Sequence, residues 1–163
     1  METAMIQLRR PGGRPVLEIK DASGRVMLAQ LGKLETFDDL DLSGAALDEV
    51  ESDGLVCMGT KFDNASFRSA DLYWMVAIQA SFQNANLEGC IFRGANLSEA
   101  NFSGALLIRT KFALDNLGGR TNLSAADLSK ATIQNADFSG ACYDSETRFP
   151  GGFDPARNGL VKC

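Results

Sequence analysis

The side chains that could do chemistry are few and badly spaced for it. The chain contains no histidine, which removes the commonest general base and the commonest metal ligand. Its four cysteines, Cys57, Cys90, Cys142 and Cys163, lie 33, 52 and 21 residues apart. That spacing contains no CxxC pair and no zinc pattern, so the expectation is four reduced thiols and no metal site. No glycine-rich phosphate loop and no nucleophile elbow occurs. Asp71, Asp127 and Asp137 recur at equivalent, outward-facing places in a repeated pattern, where the expected work of a carboxylate is solvation and hydrogen bonding along strand edges. These residues point away from an enzyme and from any cofactor.

Composition sets the frame that must position them. With 163 residues, 45% hydrophobic and 23% charged, the chain has enough apolar mass for one folded domain. Its longest apolar run falls far short of the roughly 18 residues of a transmembrane helix. METAMIQLRRPGGRPVLEIK lacks the apolar stretch and cleavage site of a secretory signal, and the expected location is cytoplasmic.

The organising signal is a period of five. Phe62, Phe67, Leu72, Ala77, Phe82, Leu87, Phe92, Leu97, Phe102, Leu107, Phe112 and Leu117 follow one another at that interval. A small residue stands two places before most of them: Ala65, Ala70, Ala80, Ala85, Cys90, Ala95, Ala100, Ala105. After Leu117 the register slips by one residue and resumes at Leu123, Leu128, Ile133, Phe138 and Tyr143; backward from Phe62 it fades through Cys57, Ser52, Leu47 and Leu42 to Phe37. Neither a helix at 3.6 nor a strand at 2 keeps such residues on one face. A chain that turns a corner every five residues does, with the small and the large residue pointing inward and the polar residue between them pointing out. The slip at DNLGGRTN reads as a bulge or tightened corner at Gly118 and Gly119, or else as a short binding loop.

ANLEGCIFRGANLSEANFSGA and ADLSKATIQNADFSGA resemble the A(D/N)Lxx pattern of the pentapeptide-repeat family over residues 37–143. The resemblance implies an all-β fold, a right-handed quadrilateral parallel β-helix with four pentapeptides to a coil. The 22 inward positions then amount to about 5.5 coils and a rod roughly 26 Å tall at the rung spacing of a sheet. Residues 1–36 differ in composition, and VLEIKDASGRVML reads as a β-hairpin around an Asp-Ala-Ser-Gly turn, expected to cap the amino-terminal end. Residues 144–163 have lost the period and are expected to form a short irregular carboxy-terminal cap.

With an apolar interior, function must lie on the outside of the rod. The repeat region carries 14 acidic and 7 basic residues, which disfavours direct nucleic-acid binding. The leading expectation is a non-enzymatic protein-interaction or scaffold module. The alternative implied by the resemblance is that of the family's quinolone-resistance branch: imitation of duplex DNA at the DNA site of gyrase or topoisomerase. The place to look is DLYWMVAIQA. The five-residue count turns Leu72, Met75 and Ala77 inward and Tyr73, Trp74, Val76 and Ile78 outward. With Val56 and Met58 one coil earlier they form an external apolar patch, the composition of an interface. Three covers are open: the amino-terminal hairpin through Val16, Leu17, Ile19, Val26 and Leu28, a second copy of the chain, or a separate protein.

Overall fold

Each pentapeptide runs nearly straight for three residues and turns over the next two. The turn closes with a hydrogen bond such as Met75 N–H to Leu72 C=O (3.2 Å) or Ala85 N–H to Phe82 C=O (3.1 Å). The second turn residue must take the left-handed region. Asn64, Ser69, Trp74, Gln79 and Asn84 do so with φ between 55 and 60°. That conformation costs an L-residue about 1–2 kcal/mol, so packing between coils has to offset it at corner after corner.

The computed structural model describes residues 8–16, 18–29, 31, 34 and 36–163. Single-residue parallel bridges link residues 20 apart and define four faces. The Asp41 face continues through Lys61, Ser81, Asn101, Asp127 and Arg148; the Ala46 face through Ser66, Asn86, Leu106 and Thr132. The Glu51 face continues through Asp71, Ile91, Lys111 and Asp137; the Val56 face through Val76, Asn96, Asn122 and Cys142. Within a face the backbone bonds alternate above and below, as where Ala77 N–H donates to Asn96 C=O (2.9 Å) and Val76 N–H to Leu55 C=O (2.8 Å).

Because equivalent inward residues sit one rung apart, their side chains stack. Phe62, Phe82 and Phe102 form one column, with ring centroids 5.3 and 5.1 Å apart and interplanar angles of 16° and 3°. Phe92, Phe112 and Phe138 form a second, at 5.5 and 5.0 Å. The small partners, Ala80, Ala85, Ala95, Ala100 and Ala105, are buried beside them. Threonines at the same small position are buried too and bond inward: Thr110 Oγ1 donates to Leu87 C=O (2.8 Å) and Thr121 Oγ1 to Phe92 C=O (2.9 Å).

The amino-terminal segment holds two antiparallel hairpins, β1 (Arg9–Arg10) with β2 (Arg14–Pro15) and β3 (Glu18–Lys20) with β4 (Val26–Ala29). The turn of the second is built on Asp21, whose Oδ1 accepts from the N–H groups of Ser23 (2.9 Å) and Arg25 (3.0 Å). Both hairpins join the first coil by antiparallel bridges, Arg9 to Glu51 and Asp21 to Ala45. Leu17 lies outside the described residues. At the other end β5 (Cys142–Tyr143) pairs in parallel with β6 (Val161–Lys162). Phe153 meets Phe138 edge-on at 5.4 Å, extending the second aromatic column into the tail.

Two expectations fail. Leu117 is not an inward residue: it is 79% exposed. Asn96 pairs with Asn122 and Asn101 with Asp127, 26 residues on instead of 20, so the insertion is six residues rather than one. Phe112 is the last inward residue before it, and Thr121 takes the next small position. The period continued to Leu117 only because a leucine happened to stand five places after Phe112. The cysteines are also not all free. Cys142 and Cys163 form a disulfide with Cα atoms 5.0 Å apart, because β6 lies beside β5 and brings the two residues to neighbouring rungs. Cys57 and Cys90 are free and buried; burial pushes both thiols far above their ordinary range and keeps them protonated and inert.

Phe82→Ala removes a ring from the middle of a column and is expected to cost about 3–5 kcal/mol in denaturant unfolding, whereas Leu117→Ala is expected to stay within about 0.5 kcal/mol. Cys163→Ser is expected to lose about 3 kcal/mol by releasing a closed loop of 21 residues' separation, read as a lower unfolding midpoint that matches wild type under a dithiol reductant.

Candidate functional site: an apolar face clamped by a loop

Val56 and Val76 occupy consecutive rungs of one face and are both half-buried. Met58 and Ile78 follow them at the next corner, where Asp38 Oδ1 accepts Met58 N–H (2.7 Å) and Gly59 N–H donates to Ile78 C=O (2.9 Å). Trp74 and Tyr73 stand at the preceding corner, their rings edge to face at 4.9 Å. Leu72, Met75 and Ala77 are fully buried, while Trp74 is 42% and Met58 41% exposed. The bridges of the amino-terminal segment run to Ala45 and Glu51, and so lie on faces other than that of Val56 and Val76.

The six inserted residues reach back to this corner. Trp74 Nε1 donates to Asp115 Oδ2 (2.6 Å). Tyr73 Oη donates to Asn116 Oδ1 (2.6 Å) and accepts Asn116 N–H (2.9 Å). The other oxygen of Asp115 accepts Leu117 N–H (2.8 Å) and Gly119 N–H (2.6 Å), closing the loop on itself. The indole needs Gly94 beneath it: a methyl group there would sit 2.5 Å from Trp74 Cδ1 and 2.8 Å from Asp115 Oδ2. Two aromatic side chains therefore position a projecting loop, and the loop presents Leu117 to solvent.

The outward carboxylates and amides are chiefly local structure. Asn96, Asn101, Asn122, Asp127 and Asp137 each accept the N–H of the residue two places on, at 2.9 to 3.2 Å. This is the Asx geometry that favours a turn. Burial raises the Asp127 and Asp137 carboxyls, but the bonds from Ser129 and Ser139 outweigh it and both end below their usual value. Asp71 differs. Burial pushes its carboxyl up, Asp53 and Glu51 add to the rise, and its Oδ1 is buried without a partner among the described residues. No group of three His, Cys, Asp or Glu able to hold a metal ion occurs among the described residues, and no helix of these is long and apolar enough to cross a membrane.

Residues 78–112 and 119–142 match the profile of the pentapeptide repeats, in eight copies. Over these two segments the chain is built of pentapeptide repeats. Its fold class is accordingly the right-handed β-helix of that family. The two matched segments flank the inserted loop, the place where the chain departs from the repeat. Solved structures similar to this chain include the pentapeptide repeat protein Rfr23 from the cyanobacterium Cyanothece 51142 (19% identity, 69% of this chain and 89% of that one, TM-score 0.44). HetL from Nostoc sp. strain PCC 7120, involved in heterocyst differentiation regulation, is 17% identical over 70% of this chain and 80% of its own, with a TM-score of 0.34. QnrB1, a plasmid-mediated fluoroquinolone resistance protein, is 18% identical over 78% of each chain, with a TM-score of 0.37. No curated protein matches.

The clamp between loop and aromatic pair was not visible in the sequence. Its partners are 41 and 43 residues apart, two coils in this repeat, and an insertion of unknown length hides which residues face each other. The bond from Trp74, foremost, holds the Asp115 carboxyl below its ordinary value. A depressed folded-state value means the ordering contribution is fully present above the unfolded value of about 3.9 and disappears as pH falls through the folded one. Hydrogen-exchange protection of the Leu117 and Gly119 amides is therefore expected to hold from neutral pH down to the carboxylate range and to collapse only in stronger acid. In Asp115→Ala that protection is expected to be absent at neutral pH, while the amides of Phe82 and Phe102 stay protected.

Proposed function

We propose that this pentapeptide-repeat protein is a non-enzymatic interaction or scaffold module that works through its outer surface. The observation that carries the reading is the Val56 face. The interior is filled by stacked aromatic and aliphatic side chains, whereas Met58 and Trp74 keep about two-fifths of their surface in solvent on neighbouring rungs. Contiguous exposed apolar surface with an aromatic anchor is the composition of a binding site.

In this reading residues 37–143 are the solenoid, and residues 1–36 and 144–163 cap its two ends. Without Leu117 the rod has one inward position fewer than expected and stands at just over five coils. Capping is supported by the burial of Leu8, Ile19 and Leu31 with the core and by the contact of Phe153 with Phe138. The alternative, gyrase or topoisomerase binding through imitation of duplex DNA, has the net charge of −5 in its favour.

Two measurements separate these readings. Affinity capture from native cell extract is expected to retain a defined set of proteins on wild type and to lose it with Trp74→Glu/Ile78→Glu, a variant whose circular dichroism is expected to be unchanged. Retention of the same set by both proteins would refute a role for this face. In the second, purified gyrase is expected to supercoil normally with a molar excess of the protein, with and without a quinolone; inhibition, or rescue from the drug, would establish the alternative.

A further inference from the structure

On one side of the apolar face the charged side chains are all acidic. The corner that carries Met58 and Ile78 is formed on successive coils by Asp38 and Asp39, Met58 and Gly59, Ile78 and Gln79, Ser98 and Glu99, then Ser124 and Ala125. It contains no lysine or arginine, and neither does the face itself at Val56, Val76, Asn96, Asn122 or Cys142. Asp38, Asp39 and Glu99 form no ion pair among the described residues. Some acids elsewhere on the rod are paired: Asp48 with Arg68 (2.9 Å), Glu88 with Arg109, and Asp127 at 3.9 Å from Arg148. At the opposite corner stand two cations: Arg93, half-buried, whose charge acts on Asp71 and Asp137 of the adjoining face, and Arg120 of the inserted loop, which donates to Gly140 C=O (2.8 Å). Lys61, also on an adjoining face, acts on Asp41.

We propose that the Val56 face is the docking site for a cationic amphipathic segment of a partner protein. Apolar side chains of that segment lie along Val56, Val76, Met58 and Ile78. Its lysines and arginines meet Asp38, Asp39 and Glu99 on one side and the exposed indole of Trp74 on the other, where a cation gains from the ring face. The reading rests on the interaction role proposed above and adds the chemistry of the partner. Complementary charge supplies orientation and association rate, and the apolar contacts supply most of the affinity. The loop at 113–120, held by Tyr73 and Trp74, borders the site and keeps the indole in one orientation through Asp115.

Trp74 is the sole tryptophan of the chain, so its emission reports on this face alone. The probe is a synthetic amphipathic leucine/lysine helix of about 18 residues, with a leucine/glutamate helix of the same pattern as control. The lysine peptide is expected to shift the emission saturably and the glutamate peptide to leave it unchanged. Ile78→Glu is expected to weaken binding at least about tenfold. Glu99→Lys, at an exposed corner where folding is not at stake, is expected to weaken it severalfold, as is about 0.5 M salt. Leu106→Glu, an exposed apolar position on another face, is expected to bind as wild type does. An equal response to both peptides, or insensitivity to Ile78→Glu and Glu99→Lys together, would overturn the proposal. A dimer in light scattering that Ile78→Glu dissociates, with no response to the lysine peptide, would overturn this occupant and leave the interaction role standing.

Discussion

Every coil of this protein is held by backbone hydrogen bonds to the coils above and below it, and the rest of the structure depends on keeping them in register. A bond such as Phe82 N–H to Asn101 C=O (2.8 Å) forms only if both coils hold the same number of residues between equivalent corners. The five-residue unit is the device that guarantees this. Each unit supplies one inward side chain of fixed direction, and register then converts the sequence period into vertical columns of like residues. The near-parallel stacks of Phe62, Phe82 and Phe102 and of Phe92, Phe112 and Phe138 are the consequence. They give back by burial what the left-handed corners cost.

The same register fills the interior. An interior filled rung by rung leaves no room for a pocket, and outward side chains stand in columns above their equivalents. Where Asn or Asp occupies such a position, as at Asn96, Asn101, Asn122, Asp127 and Asp137, it caps its own turn. The Val56 face is apolar on two consecutive rungs, where Val56 and Val76, Met58 and Ile78 stand in place of the polar residues found at Asn96 and Ser98.

The inserted loop shows how a solenoid accommodates an interruption. Six extra residues, 115–120, leave the stack after Leu114, whose N–H still donates to Ser139 C=O (3.1 Å), and the chain rejoins it at Thr121, whose hydroxyl donates to the carbonyls of Phe92 and Ala113 (2.9 and 3.2 Å) and so closes the gap. The loop folds against Tyr73 and Trp74, using the space over Gly94, and Asp115 satisfies the indole N–H and two backbone N–H groups at once. One side chain therefore ties the interruption to a coil two rungs earlier in the repeat. At the far end the disulfide between Cys142 and Cys163 does similar work, fastening β6 as an additional rung.

What the sequence determined by itself is whatever the repeat makes local. The inward set from Phe37 to Phe112, the small partners, the polar column and the outward direction of Trp74, Val76 and Ile78 all follow from counting in fives, since each pentapeptide adopts the same conformation and its neighbours impose the same environment. The hairpin around Asp21 was equally legible, because its turn is made by a side chain bonding to residues two and four places on. Only the tertiary structure decided the length of the insertion, the exposure of Leu117, the clamp from Tyr73 and Trp74 to the loop, the faces on which the amino-terminal hairpins pair, and the joining of Cys142 to Cys163. Each of these joins residues from about 20 to more than 40 positions apart without a period to count by, so their partners are set by where the chain goes once it leaves the repeat, which no local pattern encodes.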